Sequence, residues 1–390
     1  MTPGTGKPGR PRTMRPTVAE FVGSESPGAP RAGAGGHPCQ GLYHAPDGAR
    51  PRVALIATHY QIDFAEHYLA EFLAARGLGF LGWNTRYRGY EGDFVLDRAL
   101  VDIGVGVRWL KEQAGVEHVV LLGNSGGGSL MAAYQSQAVE PCVPPGIGLP
   151  PAPGAGELLP ADAYISLAAH LGRPDVLTAW MDAAVTDEDD LTRTDPSLDL
   201  FDPANGPPFT AEFVARYRAA QVARNHRITA WAQAELDRIT AAGYWDRPFA
   251  VHRTWADPRM ADPALEPTRR RPGRCYRGDV RAANRGGRGI AGETTLRNWL
   301  DMWSLATSPC RSEAHLAKVT VPALVLNADA DTGVFPSDAD LVHKAIGSTD
   351  KTRPDDLAGD HYFRTPDGAR DIVADVIADW IAERFPGAHG

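Results

Sequence analysis

The sequence predicts an α/β fold, a mostly parallel sheet with helices on both faces. Three observations carry this. Short continuous apolar runs, such as Val53-Ala54-Leu55-Ile56-Ala57 and Val119-Val120-Leu121-Leu122, have the length and composition of strands covered on both sides. Stretches with apolar residues at helical spacing alternate with those runs. The same alternation returns near the C-terminal end, after about 140 residues of different character.

Residues 1–36 are rich in Gly, Pro and Arg. They bury too little apolar surface to offset their chain entropy, so a disordered tail is expected, with Thr17 to Val22 as a short edge strand inside it. Residues 37–171 read as the first half of a core. Val53–Ala57 is its first buried strand. Asp63, with Glu66 three residues on, reads as a helix start, and Phe64, Tyr68 and Phe72 recur every four residues until Gly77. Leu78 to Trp83 is the next strand. Leu96, Leu100, Ile103, Val107 and Leu110 form one helical stripe, Val119–Leu122 a further strand, Gly128–Gln137 a helix and Tyr164–Ala168 another strand. Residues 172–315 are expected to be an inserted, mainly helical cap. They hold six of the nine tryptophans (Trp180, Trp231, Trp245, Trp255, Trp299 and Trp303) and a long helix from about Thr210 to Ala242, ended by Gly243. Residues 316–390 resume the core with a strand at Pro322–Leu326, a short helix at Ser337–Lys344 and a last strand near Asp356-Leu357. A closing helix follows on Ile372, Val373, Val376, Ile377, Trp380 and Ile381. There are no internal repeats.

Composition narrows the class. At 43% hydrophobic and 23% charged the chain is globular. Its 40 basic and 48 acidic residues give a net charge of −8, which argues against bulk nucleic acid as a partner. Four cysteines (Cys39, Cys142, Cys275 and Cys310) are too few for a disulfide framework and too widely spaced for paired zinc ligands. No apolar run approaches the roughly 20 residues that span a bilayer. The basic N-terminus lacks the apolar stretch of a secretory signal, so a cytoplasmic location is expected.

The sharpest chemical signal is Gly123-Asn124-Ser125-Gly126-Gly127, which follows an apolar strand and opens a helix. A serine on so tight a turn is held in strained backbone geometry, and small neighbours are needed to avoid clashes. Its hydroxyl then stands above the sheet, and the helix N-terminus offers backbone N–H groups, Gly126 first, to a developing oxyanion. In proteins built on this turn the acid and the histidine follow the serine in that order. Of twelve histidines, only His315, His343, His361 and His389 fall in the last third of the chain. His361, in Gly359-Asp360-His361-Tyr362-Phe363 ahead of the closing helix, has the position of the base. For the acid, the strand from Pro322 runs into Asn327-Ala328-Asp329-Ala330-Asp331. Asp331 lies where the chain has left the strand, with Asp329 and Asp175 as the alternatives.

These three segments, in this order, resemble the α/β-hydrolases over residues 40–170 and 316–386; the middle of the chain has no match. The resemblance implies an eight-stranded core and hydrolysis through an acyl-serine, with no metal or organic cofactor. It also implies a second oxyanion donor after the strand ending at Ala57. The family often carries His-Gly there, where this chain has Thr58-His59-Tyr60-Gln61, so the resemblance assigns the donor to the backbone N–H of Tyr60. The expected function is a serine hydrolase of a carboxylic ester or lactone with a bulky, largely apolar group. The alternatives are a thioesterase, acyl transferase or carbon–carbon bond hydrolase with the same triad, or a non-catalytic ligand-binding protein. Arg86, His59 and His170 read as scaffold. The eight arginines between Arg269 and Arg288, interleaved with glycine, read either as a solvated loop or as an anion site.

Overall fold

The computed structural model describes residues 14–387 apart from 32 and 34. Its centre is an eight-stranded sheet. The strands are β1 (Thr17–Ser24), β2 (Cys39–Pro46), β3 (Val53–Ala57), β4 (Gly79–Asn84), β5 (His118–Asn124), β6 (Ala163–Leu167), β7 (Ala323–Leu326) and β8 (Lys351–Thr352). They are ordered β1-β2-β4-β3-β5-β6-β7-β8. β1, β2 and β4 pair antiparallel, and every pair from β4 through β8 is parallel. The edge strand expected at Thr17 to Val22 is present and runs two residues further, to Ser24. Phe21 and its neighbours form a full edge strand on β2, because the backbone ladder compensates for the few apolar side chains. Residues 1–13 lie outside the described residues.

Successive residues of the central strands point to opposite faces, and both faces are covered. Ala54, Ile56, Leu121, Tyr164 and Val325 pack with α2 (Leu96–Glu112) and α3 (Gly127–Val139). Val53, Leu55, Val120, Ile165 and Leu324 pack with α1 (Ala70–Ala74) and the closing helix Ala369–Arg384. Buried Arg76 ties those last two together through Asp371 (3.0 Å) and Asp375 (2.7 Å).

The helix expected from Asp63 does not start there. Asp63 accepts from the Ala65 N–H (2.9 Å) and the Asn84 side chain (2.6 Å), and the Phe64 N–H donates to Asn84 Oδ1 (2.8 Å). These bonds pin residues 61–68 as a loop over the end of β4, and the helix begins only at Ala70. The last strand also falls earlier than Asp356-Leu357, at Lys351–Thr352, and Leu357 makes a single bridge to Ala328.

Between β6 and β7 the regular structure is mostly helical, with long irregular stretches. α4 (Arg173–Trp180) is followed by the 31-residue α5 (Ala211–Ala241), capped by the Thr210 hydroxyl. Two-stranded pairings occur at Pro248–Phe249 with Thr294–Thr295 and at Arg274–Cys275 with Gly278–Asp279. Trp299 and Trp303 are fully buried, whereas Trp231 and Trp245 are exposed. Among the described residues, no helix is long and apolar enough to cross a membrane.

Candidate active site

The ends of β5, β6 and β7 and the loop before the closing helix meet at one edge of the sheet. β5 stops at Asn124 and the chain reverses at Ser125, whose φ of 56° is a left-handed value that a residue with a side chain adopts at a cost. The turn closes because its neighbours are bare. A Cβ on Gly123 would lie 2.6 Å from the Gly128 Cα, and one on Gly127 would collide with the Thr58 carbonyl. The Ser125 N–H donates to the Leu167 carbonyl (3.1 Å), and the Ser125 carbonyl accepts from the N–H groups of Gly128 and His170 (both 3.1 Å). β6 and the segment after it thus brace the reversal.

Beyond β7, Asp331 is buried. Its Oδ1 accepts from the N–H groups of Gly333 (2.8 Å) and Val334 (3.1 Å), and its Oδ2 lies 2.6 Å from His361 Nδ1. Burial alone would raise the Asp331 pKa, but His361 and the two N–H donors hold it below the ordinary carboxylate value. An ionised carboxylate at Nδ1 keeps the proton on that nitrogen and leaves Nε2 as an acceptor. Asp329 instead pairs with Arg269 (2.5 Å) and accepts from the Gly359 N–H (3.1 Å), bracing the loop that carries His361. Asp175 pairs with Arg311 (2.9 Å). Of the three carboxylates only Asp331 touches the imidazole.

Ser125 and His361 line one cavity of about 440 Å³. No hydrogen bond joins them, and Ser125 Oγ has no partner among the described residues. The Gly126 and Tyr60 N–H groups likewise meet no acceptor there. The Tyr60 side chain is fully buried outside the cavity lining, its hydroxyl 3.0 Å from Ser129 Oγ. Neither Tyr60 nor Gly126 is among the residues that line the cavity.

His59 and His170 both line the cavity. Burial, with Arg173 and other histidines adding to it, holds His59 well below the usual histidine value. Burial and His361 bring His170 down to about 3. Both are neutral imidazoles at neutral pH. Arg86 grips buried Asp102 through two nitrogens (2.7 and 2.9 Å), as a scaffold residue does.

Two groups on the wall were not singled out from sequence. Tyr276 donates to Asp331 Oδ1 (2.9 Å), lies 3.1 Å from His361 Nδ1 and sets its ring 4.4 Å from the imidazole. Arg173, the first residue of α4, is 4% exposed and paired with buried Glu91 (2.5 Å). Neither belongs to a recognisable motif; the only signal is that Arg173 follows a strand end and Tyr276 lies among the arginines. Of that arginine group, Arg277 and Arg288 line the cavity, and Arg270 is buried against the carbonyls of Arg259 (2.7 Å) and Asp262 (3.1 Å).

No protein-family model matches the sequence, and no curated protein matches it. In three dimensions the chain is similar to DcsB, solved in complex with its substrate analogue. The TM-score is 0.52 at 12% identity, covering 94% of this chain and 99% of that one. It is also similar to the alpha/beta hydrolase GrgF from Penicillium sp. sh18, with a TM-score of 0.50 at 10% identity over 94% and 98% of the two chains. Identities this low speak to the fold.

Proposed function

We propose that this chain, whose fold is that of the α/β-hydrolases, is a serine hydrolase of carboxylic esters or lactones. The observation that carries the reading is the buried Asp331–His361 contact of 2.6 Å on the same cavity as Ser125, which sits strained on the turn into α3. In this reading Ser125 Oγ attacks the carbonyl carbon while His361 Nε2 takes its proton. The oxyanion receives the N–H groups of Gly126 and Tyr60, each such donor lowering the barrier by roughly 3 kcal/mol. The imidazolium, held by ionised Asp331, then protonates the alkoxide as the carbon–oxygen bond breaks; in a lactone the alcohol stays tethered to the acyl group. Water, deprotonated by His361, releases the acid. The serine–histidine bond is commonly long in the free enzyme and tightens with substrate present.

Ile62, Phe64, Val176, Trp180, Trp255 and Ile290 give the cavity apolar walls, which suit a bulky, largely apolar group. Four of these belong to residues 172–315, which in this reading act as a cap over Ser125. The test is labelling with a fluorophosphonate probe, read by intact mass. Wild type should gain one adduct and Ser125→Ala none; equal reaction of both overturns the assignment.

A further inference from the structure

We propose that the ester this site takes carries a carboxylate, received by Arg173 with Arg277 and Arg288 at the mouth. The inference deepens the hydrolytic reading and rests on it.

Arg173 is a buried guanidinium with donors to spare. Nη2 holds Glu91, but Nε has no partner, and Nη1 makes no hydrogen bond among the described residues. A guanidinium whose sole task is to neutralise a carboxylate presents a two-pronged fork to it. Here one prong is used, and Nη1 turns to the nucleophile turn, 3.2 Å from where a Gly126 Cβ would stand. The rings of Trp303 (4.4 Å) and Tyr60 (4.9 Å) hold its plane in place. Buried donors left without acceptors are costly, so a site that keeps them has a use for them. A planar anion arriving from the cavity satisfies Nη1 directly.

The charge on the wall points the same way. Arg173 is answered by Glu91 and Asp63 by Arg88 (3.4 Å). That leaves Arg277 and Arg288, exposed and in no ion pair among the described residues, against Glu66 on the lining and ionised Asp331 behind His361. His59, His67 and His170 add no charge, since burial lowers each of them. An open surplus of arginine at the entrance of a partly apolar cavity steers and retains an amphiphilic anion.

The experiment compares matched pairs. One is the p-nitrophenyl half-esters of succinate and glutarate against the p-nitrophenyl esters of butyrate and valerate. The other is the acetate ester of 3-hydroxybenzoate against that of 3-hydroxybenzamide. In at least one pair the charged member should have a kcat/KM at least tenfold higher, with the difference in KM and shrinking at high salt. The charged-to-neutral ratio should fall at least fivefold in Arg277→Gln/Arg288→Gln. It should approach one in Arg173→Gln/Glu91→Gln, which removes the buried pair together. If that second variant does not fold, the first decides, because both of its side chains are exposed. No charged preference in either pair, or an unchanged ratio in the folded variants, overturns the proposal. Fluorophosphonate labelling of Ser125 in the same preparation separates this failure from failure of the hydrolytic reading, in which no label is taken up.

Discussion

Asp329 and Asp331 are two residues apart, yet only one of them reaches the imidazole. Asp331 spends Oδ1 on two backbone N–H groups and Oδ2 on His361, whereas Asp329 is tied to Arg269 and to the loop amide of Gly359. Asp331→Asn should lower kcat by roughly 10³–10⁴, since the amide no longer holds the imidazole tautomer or its positive charge. Asp329→Asn and Asp175→Asn should cost less than tenfold; steady-state kinetics on one ester separates the three. In the proposed reaction Tyr276 acts as a positioning residue, its hydroxyl bonded to Asp331 and its ring against His361. Tyr276→Phe should reduce kcat by roughly tenfold with little change in KM, the size expected for one hydrogen bond to a charged group. The first contrast was partly legible in the sequence, because Asp331 lies beyond the strand end. Tyr276 was not, because it meets Asp331 and His361 only through folding of a segment 55 residues upstream of Asp331.

Among the elements, the strand–turn–helix around Ser125 has the least freedom. Gly127 faces the Thr58 carbonyl so closely that a methyl group has no room, and a carbonyl on a strand end cannot step aside as a flexible side chain can. Gly127→Ala should therefore destabilise the fold by about 1–3 kcal/mol, read as a lower denaturant midpoint with an unchanged slope. The turn itself was readable from its residues, because glycine, serine and glycine between an apolar strand and a helix state a steric requirement. The loop over residues 61–68 was not. Phe64, Tyr68 and Phe72 have helical spacing, but the Asn84 side chain takes the Phe64 N–H and Asp63 turns to Asn84 instead of capping a helix. A partner twenty residues away outweighed the local pattern.

At the scale of the molecule, the sheet edge carries buried, neutral histidines. Burial brings His67 down to about 4 despite its bond to Asn124, and burial with His361 beside it brings His170 down to about 3. In the unfolded chain both have the ordinary value near 6.5. Between 6.5 and those folded values the unfolded state binds more protons, so stability is full above about pH 6.5 and falls progressively as the pH drops towards 4 and 3. Thermal scans across pH 4–8 should show Tm flat above 6.5 and declining below. The decline should be shallower in His170→Asn than in wild type; equal slopes would mean that this histidine is not the cause.

Read alone, the sequence determined what depends on near neighbours: apolar strands of the right length, amphipathic helices and a glycine-flanked serine at a forced reversal. These follow from backbone sterics and from the periodicity of burial, which act over a few residues. Only the tertiary structure decided which carboxylate meets His361, that Tyr276 joins them, that the Tyr60 hydroxyl is spent on Ser129, and that Arg173 stands beside Gly126 with an idle nitrogen. Each of those is a contact between side chains far apart along the chain. Hydrogen bonds and ion pairs of that kind are chosen by the packing of the whole core and leave no periodic mark in the order of the residues.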